Sequence, residues 1–164
     1  MRLLMVCLGN ICRSPLAEGA VRAHLDRHGL DWVEVDSAGT GGWHAGEPPD
    51  RRSIAVAASF GVDIRAQRAR KLVRADFTHF DWLLCADRSV LRDVRAAAPA
   101  EARERAALLL EWAGQGTDAE DAAEIPDPYT GGPEDFRRVW DMVDAAAAGI
   151  VARIARGASG RMPG

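Results

Sequence analysis

The chain has 164 residues, of which 48% are hydrophobic and 27% are charged, and its formal net charge at pH 7 is −3. This length predicts one domain with a substantial hydrophobic core. The small negative charge argues against a nucleic-acid-binding or membrane-surface protein. The apolar segment at residues 3–8 is too short for a secretory signal or a membrane span, so we expect a cytoplasmic protein that contacts neither nucleic acid nor membrane.

The chain contains three cysteines and four histidines. Three irregularly spaced cysteines cannot form the disulfide framework of a small secreted domain or a four-ligand zinc site. The histidines show no metal-ligand spacing with one another or with the cysteines. We therefore expect a protein of a reducing compartment that uses no metal and no cofactor.

Predicted strands and helices alternate along the chain. Short apolar runs predict buried strands at residues 2–8, 33–36, 82–85 and 107–110. Helices are predicted at residues 15–28, 50–60, 73–77, 88–97 and 134–156. The glycine- and proline-rich segment 37–49 is predicted to be a loop, and residues 157–164 a flexible C-terminal tail. This alternation is typical of a single three-layer α/β domain, in which helices cover both faces of a parallel sheet.

The first predicted strand runs directly into Cys7, and a short loop leads through Arg13 and Ser14 to a helix start at Pro15. Backbone N–H groups of such a loop can converge on one tetrahedral anion, toward which the following helix directs its positive dipole end. The planar guanidinium of Arg13 can hold two phosphoryl oxygens, and the Ser14 hydroxyl can donate to the sulfur. The sequence therefore predicts a phosphate-binding loop after strand 1 that carries a nucleophilic thiolate.

This loop resembles that of the low-molecular-weight protein tyrosine phosphatases, which has the pattern Cys-x5-Arg-Ser near the N-terminus. The match is nearly complete from Val6 to Pro15 and returns at Asp127-Pro128-Tyr129. Weaker matches occur at residues 36–39, Trp43, residues 85–87 and residues 91–93. The resemblance implies a phosphatase domain at residues 1–156, followed by the tail, with a four-stranded parallel sheet in the order 2-1-3-4.

The resemblance implies hydrolysis of phosphotyrosine monoesters through a cysteinyl-phosphate intermediate. Cys7 is then the nucleophile and Arg13 the oxyanion ligand, while Asp127 is the general acid that protonates the leaving phenolate. Pro128 restricts the preceding backbone to extended geometry, which helps to aim the Asp127 carboxylate. The expected substrate is a phosphotyrosine-containing protein, such as a bacterial-type tyrosine kinase, and we expect a monomer or a weak dimer.

The same resemblance assigns further residues to the site. Those expected to support the loop or bind the phosphate are Leu8, Gly9, Asn10, Ile11, Cys12, Ser14 and Ser37. Asn10 is expected to adopt a left-handed backbone conformation and to tie the loop to Ser14 and Ser37. Trp43 and Tyr129 are expected to line the substrate pocket, although core packing is the ordinary alternative for both side chains.

Three further positions bear on the site: Cys12 has two possible roles, and Gln67 and Thr130 depart from the family pattern. Cys12 either packs as a small apolar side chain or traps an oxidised Cys7 as a disulfide. Gln67 stands where many family members have histidine, which alters any hydrogen bond that the histidine makes. Thr130 stands where many relatives have a second aromatic residue after the tyrosine, so the pocket rim is less aromatic. The change at Thr130 bears on the affinity for phosphotyrosine peptides more than on catalysis.

Three other functions are compatible with a phosphate loop of this kind. A thiol-dependent arsenate reductase would need further downstream cysteines, whereas here Cys85 stands alone in an apolar strand. A protein arginine phosphatase typically has threonine in place of Ile11. A non-catalytic phosphate-binding module would not need both Cys7 and Asp127. The sequence therefore favours the tyrosine phosphatase.

Overall fold

Four parallel strands form the centre of the fold. In the computed structural model, which describes residues 1–115 and 123–160, the strands are β1 (Arg2–Cys7), β2 (Glu34–Gly39), β3 (Trp82–Cys85) and β4 (Ala106–Leu108). They pair in the order β2-β1-β3-β4. The predicted fold class and strand order are confirmed.

Helices pack on both faces of this sheet. They are α1 (Arg13–Arg27), α2 (Arg51–Ser59), α3 (Asp76–His79), α4 (Arg88–Ala97), α5 (Leu109–Trp112) and α6 (Pro133–Gly160), with a 3₁₀ turn at Ala100–Arg105. Successive side chains of β1 enter the two cores in turn: Leu3 and Met5 pack with α1 and α6, whereas Leu4 and Val6 pack with α3 and α4. This alternation follows from the two-residue period of a strand and produces the three layers.

The register of the sheet brings the carboxyl ends of three strands together. Cys7, the last residue of β1, pairs with Gly39 of β2, and its neighbour Val6 pairs with Cys85 of β3. The loops that follow these strands therefore leave the sheet side by side. This edge is where α/β proteins bind their ligands.

Several predicted element boundaries differ from the structure. The strand predicted at residues 107–110 ends at Leu108, and α5 begins at Leu109, because a short buried apolar run is compatible with either structure. The short helix predicted at residues 73–77 occupies Asp76–His79. Helix α1 begins at Arg13, two residues before Pro15, since a proline in the first turn removes no intrahelical hydrogen bond.

The C-terminal helix is longer than predicted. Helix α6 continues to Gly160, so residues 157–160 are helical, contrary to the predicted tail. Gly157 does not end the helix because one glycine costs only about 1 kcal/mol relative to alanine. The remaining tail residues, 161–164, lie outside the described residues. Within the part of the chain that the structure describes, no helix is both long and apolar enough to cross a membrane.

Candidate active site

Cys7 lies at the carboxyl end of β1, and residues 8–12 form the loop that joins it to α1. The loop backbone packs directly against β2. The amide of Thr40 donates to the Cys7 carbonyl (3.0 Å), and that of Gly41 donates to the Leu8 carbonyl (2.9 Å). A Cβ atom on Gly39 would lie 2.7 Å from the Leu8 carbonyl oxygen, so only glycine permits this approach.

The sulfur of Cys7 lies 2.9 Å from the hydroxyl oxygen of Ser14. This oxygen accepts a hydrogen bond from Asn10 Nδ2 (2.7 Å), which leaves the Ser14 proton free to be donated to the sulfur. Asn10 Nδ2 also donates to Ser37 Oγ (3.0 Å). The backbone of Asn10 is left-handed, with φ of 58°, as predicted. Ser14 is thus oriented to stabilise a thiolate on Cys7.

Two residues that the sequence reasoning missed, Glu18 and Arg70, support this network. Ser37 donates to Glu18 Oε1 (2.9 Å), and the Arg70 amide donates to Asn10 Oδ1 (3.0 Å). Burial raises the pKa of Glu18, and the hydrogen bond from Ser37 and the charge of Arg22 only partly oppose this shift. Glu18 lies one turn beyond Ser14 on the same helix, which is the only sequence signal that could have indicated it.

Arg13 is buried, with 3% of its side chain exposed, and two acceptors fix its guanidinium. Nη1 donates to Asp87 Oδ2 (2.6 Å) and to the Ile125 carbonyl (3.0 Å). Burial alone lowers the pKa of Arg13, but the charges of Cys7 and Asp87 outweigh it and the net shift is upward. The guanidinium therefore stays charged beside Cys7.

The sequence reasoning gave Asp87 no role, although it lies just beyond the carboxyl end of β3. Its second oxygen, Oδ1, accepts from the Val90 amide (2.8 Å) and caps the N-terminus of α4. Asp87 thus connects Arg13 to the start of a helix on the opposite face of the sheet. Its position at the sheet edge and the weak family match at residues 85–87 were the available signals for it.

Asp127 lies across the cavity from the phosphate loop. Its Oδ2 is 3.9 Å from Arg13 Nη2, and its Oδ1 accepts from the Tyr129 amide (3.1 Å). With 46% of the side chain exposed, the carboxylate can reach a bound molecule and solvent. The structure therefore brings together the three residues predicted to be catalytic.

These side chains surround a cavity of about 200 Å³. Its lining residues are Cys7, Leu8, Gly9, Ile11, Cys12, Arg13, Trp43, His44, Asp127 and Tyr129. Trp43 and Tyr129 are 71% and 51% exposed, which excludes core packing for both. The other predicted loop residues, Asn10, Ser14 and Ser37, lie behind the loop rather than on the cavity wall.

His44 is a lining residue that the sequence reasoning also missed. Its Nδ1 lies 2.7 Å from Glu47 Oε2, and its ring centroid is 6.4 Å from that of Tyr129. The imidazole follows Trp43 directly in the chain, so position beside a predicted pocket residue was the available signal. Together, the three aromatic rings form a wall for a flat substrate group.

The two other cysteines differ from Cys7 in their surroundings. Cys12 packs against Phe136 and Ala69, and burial, together with the charges of Asp50 and Cys7, raises its pKa to about 12. Burial also raises the pKa of Cys85. Both are neutral thiols at physiological pH. Among the described residues, no group of three or more His, Cys, Asp or Glu side chains could hold a metal ion.

The two departures from the family pattern occupy different surroundings. Gln67 Nε2 donates to the Pro15 carbonyl (3.2 Å), whereas its Oε1 is buried without a hydrogen-bond partner among the described residues. Thr130 is exposed beside Tyr129. Gln67 therefore contacts the first turn of α1 behind the phosphate loop.

Comparison with known proteins gives the same family that the loop pattern resembles. The family model for "Low molecular weight phosphotyrosine protein phosphatase" matches residues 2–159. A low molecular weight protein-tyrosine-phosphatase of Streptomyces coelicolor is 40% identical over 161 residues, covering 98% of this chain and 97% of the relative.

Two solved structures have the same fold. The protein tyrosine phosphatase of Entamoeba histolytica with Hepes in the active site has a TM-score of 0.88 and 32% identity, covering 96% of this chain and 98% of that one. The structure of Vibrio vulnificus Wzb in complex with benzylphosphonate has a TM-score of 0.80 and 29% identity, covering 93% and 97%. The chain therefore belongs to the low molecular weight phosphotyrosine protein phosphatase family, whose members are hydrolases that remove phosphate from tyrosine in proteins.

Proposed function

We propose that this phosphatase uses Cys7 as nucleophile, Arg13 as ligand of the phosphoryl oxygens and Asp127 as general acid. The observation that carries the proposal is their convergence on one cavity, with Arg13 Nη2 3.9 Å from Asp127 Oδ2. The hydrogen bond between Ser14 and the Cys7 sulfur supports an ionised nucleophile.

In the first step, the Cys7 thiolate attacks phosphorus in line with the tyrosine oxygen. The sulfur–phosphorus bond forms while the phosphorus–oxygen bond to tyrosine breaks, and Asp127 donates its proton to the leaving oxygen. Arg13 and the loop amides hold the three equatorial oxygens as negative charge develops on them. The product is the free tyrosine side chain, with the phosphoryl group on Cys7.

In the second step, a water molecule attacks the phosphoryl group. The Asp127 carboxylate, now deprotonated, accepts a proton from this water as the new phosphorus–oxygen bond forms. The sulfur–phosphorus bond breaks, the Cys7 thiolate is regenerated and inorganic phosphate leaves. No electron is transferred and no metal or cofactor takes part in either step.

The lining of the cavity supports an aromatic phosphomonoester as substrate. Exposed Trp43 and Tyr129 lie at its mouth, where their rings can contact both faces of a phenyl ring. The related Wzb structure contains benzylphosphonate, an aryl compound with a phosphoryl-like group. By analogy, we propose that the ring of phosphotyrosine lies between Trp43 and Tyr129.

The same surroundings weigh against the other functions. An arsenate reductase needs further accessible cysteines downstream of the loop, but Cys85 is fully buried in β3. Ile11 lines the cavity at the position where arginine phosphatases have threonine, which favours phosphotyrosine over phosphoarginine. These two observations support the phosphotyrosine substrate.

For the physiological setting, we propose a cytoplasmic monomer or weak dimer that acts on phosphotyrosine proteins, with a bacterial-type tyrosine kinase as the specific partner. Three free cysteines, one of them the nucleophile, are compatible with a reducing compartment. The exposed rim at Leu8, Trp43 and Tyr129 leaves room for a protein-borne phosphotyrosine. Dephosphorylation of such a kinase by the purified enzyme tests the partner, and sedimentation tests the oligomeric state.

The central experiment measures phosphate release from phosphotyrosine and phosphoarginine peptides in parallel, with a metal chelator present. We expect chelator-resistant release from phosphotyrosine, no release by Cys7→Ser, and retained phosphate binding by that variant. Arg13→Ala is expected to lose both activity and phosphate binding. Preference for phosphoarginine, or full activity of Cys7→Ser, would contradict the proposal.

A further inference from the structure

The segment that carries Asp127, residues 127–132, contacts a guanidinium that the mechanism above does not use. We name this segment the acid loop. Arg52, in the first turn of α2, donates from Nη2 to the Tyr129 carbonyl (2.9 Å) and from Nη1 to the Gly131 carbonyl (3.0 Å). Both acceptors lie within four residues of Asp127, so Arg52 holds the backbone that carries the acid.

Arg52 is in turn bound to the phosphate loop through Asp50. Its Nε and Nη2 donate to the two oxygens of Asp50 (3.1 and 3.0 Å), and the Asp50 amide donates to the Ile11 carbonyl (2.8 Å). Burial alone raises the pKa of Asp50, but the hydrogen bonds from Arg52 outweigh it and shift that pKa downward. A continuous set of hydrogen bonds thus joins the loop of the nucleophile to the loop of the acid.

The plane of the guanidinium is fixed as well. Its central carbon lies 4.3 Å from the ring centroid of Phe136, a buried residue in the first turn of α6, and 5.9 Å from that of Tyr129. Asp50 is itself held because its Oδ1 accepts from the Arg52 amide and caps α2. The Arg52 guanidinium is therefore held by residues at the starts of two helices, α2 and α6.

We propose that Arg52 is a positioning residue for general acid catalysis, which sets the Asp127 carboxylate over the phosphate loop by holding the Tyr129 and Gly131 carbonyls. The proposal rests on the role of Asp127 proposed above. Arg52 does not line the substrate cavity, so it acts through the acid loop and not on the substrate.

The geometry requires a guanidinium. Four of its five N–H donors point in one plane at two carboxylate oxygens and two carbonyl oxygens. A lysine ammonium has three donors on a single atom and cannot span these acceptors. Arg52→Lys keeps the charge and much of the side-chain volume, and should still release the acid loop.

The test compares two esters that differ in their need for a general acid. Phenyl phosphate, like phosphotyrosine, has a poor leaving group, whereas dinitrophenyl phosphate has a leaving group that departs without a proton. We expect Arg52→Met and Arg52→Lys to lower kcat/KM for phenyl phosphate by about tenfold or more and for dinitrophenyl phosphate by less than about threefold, because kcat/KM reports formation of the phosphocysteine and not its hydrolysis. Inhibition by inorganic phosphate should be unchanged, because Arg13 is untouched.

Arg65→Met is the matched control. Arg65 stands two residues after Asp63 and forms the same local arrangement, with Nε and Nη2 donating to the two Asp63 oxygens (3.0 and 2.9 Å). It is 75% exposed and does not line the cavity. This variant should keep the kcat/KM of the parent enzyme for both esters. Equal losses in the Arg52 and Arg65 variants would overturn the proposal.

A double variant separates positioning from a general structural effect. If Arg52 acts only through Asp127, adding Arg52→Met to Asp127→Asn should cause no further loss with phenyl phosphate. The proposal would be overturned if the double variant lost activity by the product of the two single losses, or if Arg52→Met lost the same activity with both esters. Should Asp127→Asn itself leave phenyl phosphate hydrolysis intact, the proposed acid is wrong. A slow Asp127→Asn enzyme beside a fast Arg52→Met enzyme refutes the positioning role alone.

Discussion

Arg13 and Asp87 form an ion pair that connects the phosphate loop to the opposite layer of the fold, with 2.6 Å between Arg13 Nη1 and Asp87 Oδ2. Arg13 belongs to the first turn of α1, and Asp87 caps α4. Because Arg13 is buried, its guanidinium depends on Asp87 both for orientation and for charge compensation.

Asp87→Ser tests this dependence. Serine still caps α4 but removes the ion pair, so the variant should lose about 2 to 4 kcal/mol of stability, since it leaves a buried cation without its partner. We also expect weaker inhibition by inorganic phosphate. Urea unfolding and phosphate inhibition measure the two effects. An Asp87→Ser protein with unchanged phosphate affinity would show that Arg13 does not need Asp87 for its orientation.

Asp127→Ala should slow phosphotyrosine hydrolysis by about 10²-fold or more, because the leaving phenolate loses its proton donor. Esters with good leaving groups should be less affected, and phosphate inhibition should persist. The kcat/KM values of a series of aryl phosphates, which report formation of the phosphocysteine and not its hydrolysis, measure this difference. A uniform loss across the series would instead indicate that the Asp127 carboxylate supports the shape of the cavity.

Asn10 combines a left-handed backbone with three side-chain hydrogen bonds, to Ser14, Ser37 and the Arg70 amide. Asn10→Gly keeps the backbone conformation and removes the hydrogen bonds, whereas Asn10→Ala also adds conformational strain of about 1 kcal/mol. We expect both variants to lose activity, with Asn10→Ala the less stable in thermal unfolding. If both unfold at the same temperature, the backbone conformation contributes nothing measurable.

Glu18 should make stability depend on pH in an unusual direction. Burial raises its pKa above the ordinary value of 4.5, so the folded chain binds the proton more tightly than the unfolded chain does. Its contribution therefore favours folding at low pH and decreases as pH rises from about 4.5 through the folded-state pKa. Glu18→Gln, which keeps an acceptor for Ser37, should remove this decrease. Denaturant unfolding across this pH range measures it, and parallel curves for both proteins would contradict the assignment.

Much of the fold followed from local patterns. The alternation of apolar strands and helices predicted the parallel three-layer arrangement, because parallel strands need crossover helices. The predicted ends of the fourth strand at residue 110 and of the last helix at residue 156 were wrong for a local reason, since the structure ends these elements at Leu108 and Gly160. An apolar run such as residues 107–110 is compatible with a strand or a helix, and a single glycine at 157 does not by itself end a helix.

The burial of the aromatic residues could not be predicted from the sequence. From the sequence, Trp43 fits a core or a pocket equally well, since its side chain is large and apolar. The structure leaves it 71% exposed beside the cavity. Burial is a property of the assembled chain, so no feature of the segment around Trp43 could have decided it.

The sequence by itself was enough to predict the phosphate loop, because its parts are neighbours in the chain: a thiol after a strand, a permissive asparagine, an arginine and a helix start within residues 7–15. It also determined the class of chemistry that such a loop performs. Only the tertiary structure decided which groups hold Arg13, where Asp127 meets it and what secures the acid loop. Asp87 and Arg52 reach these positions from 74 and 79 residues away in the chain. Their roles are therefore properties of packing, which a local pattern does not encode.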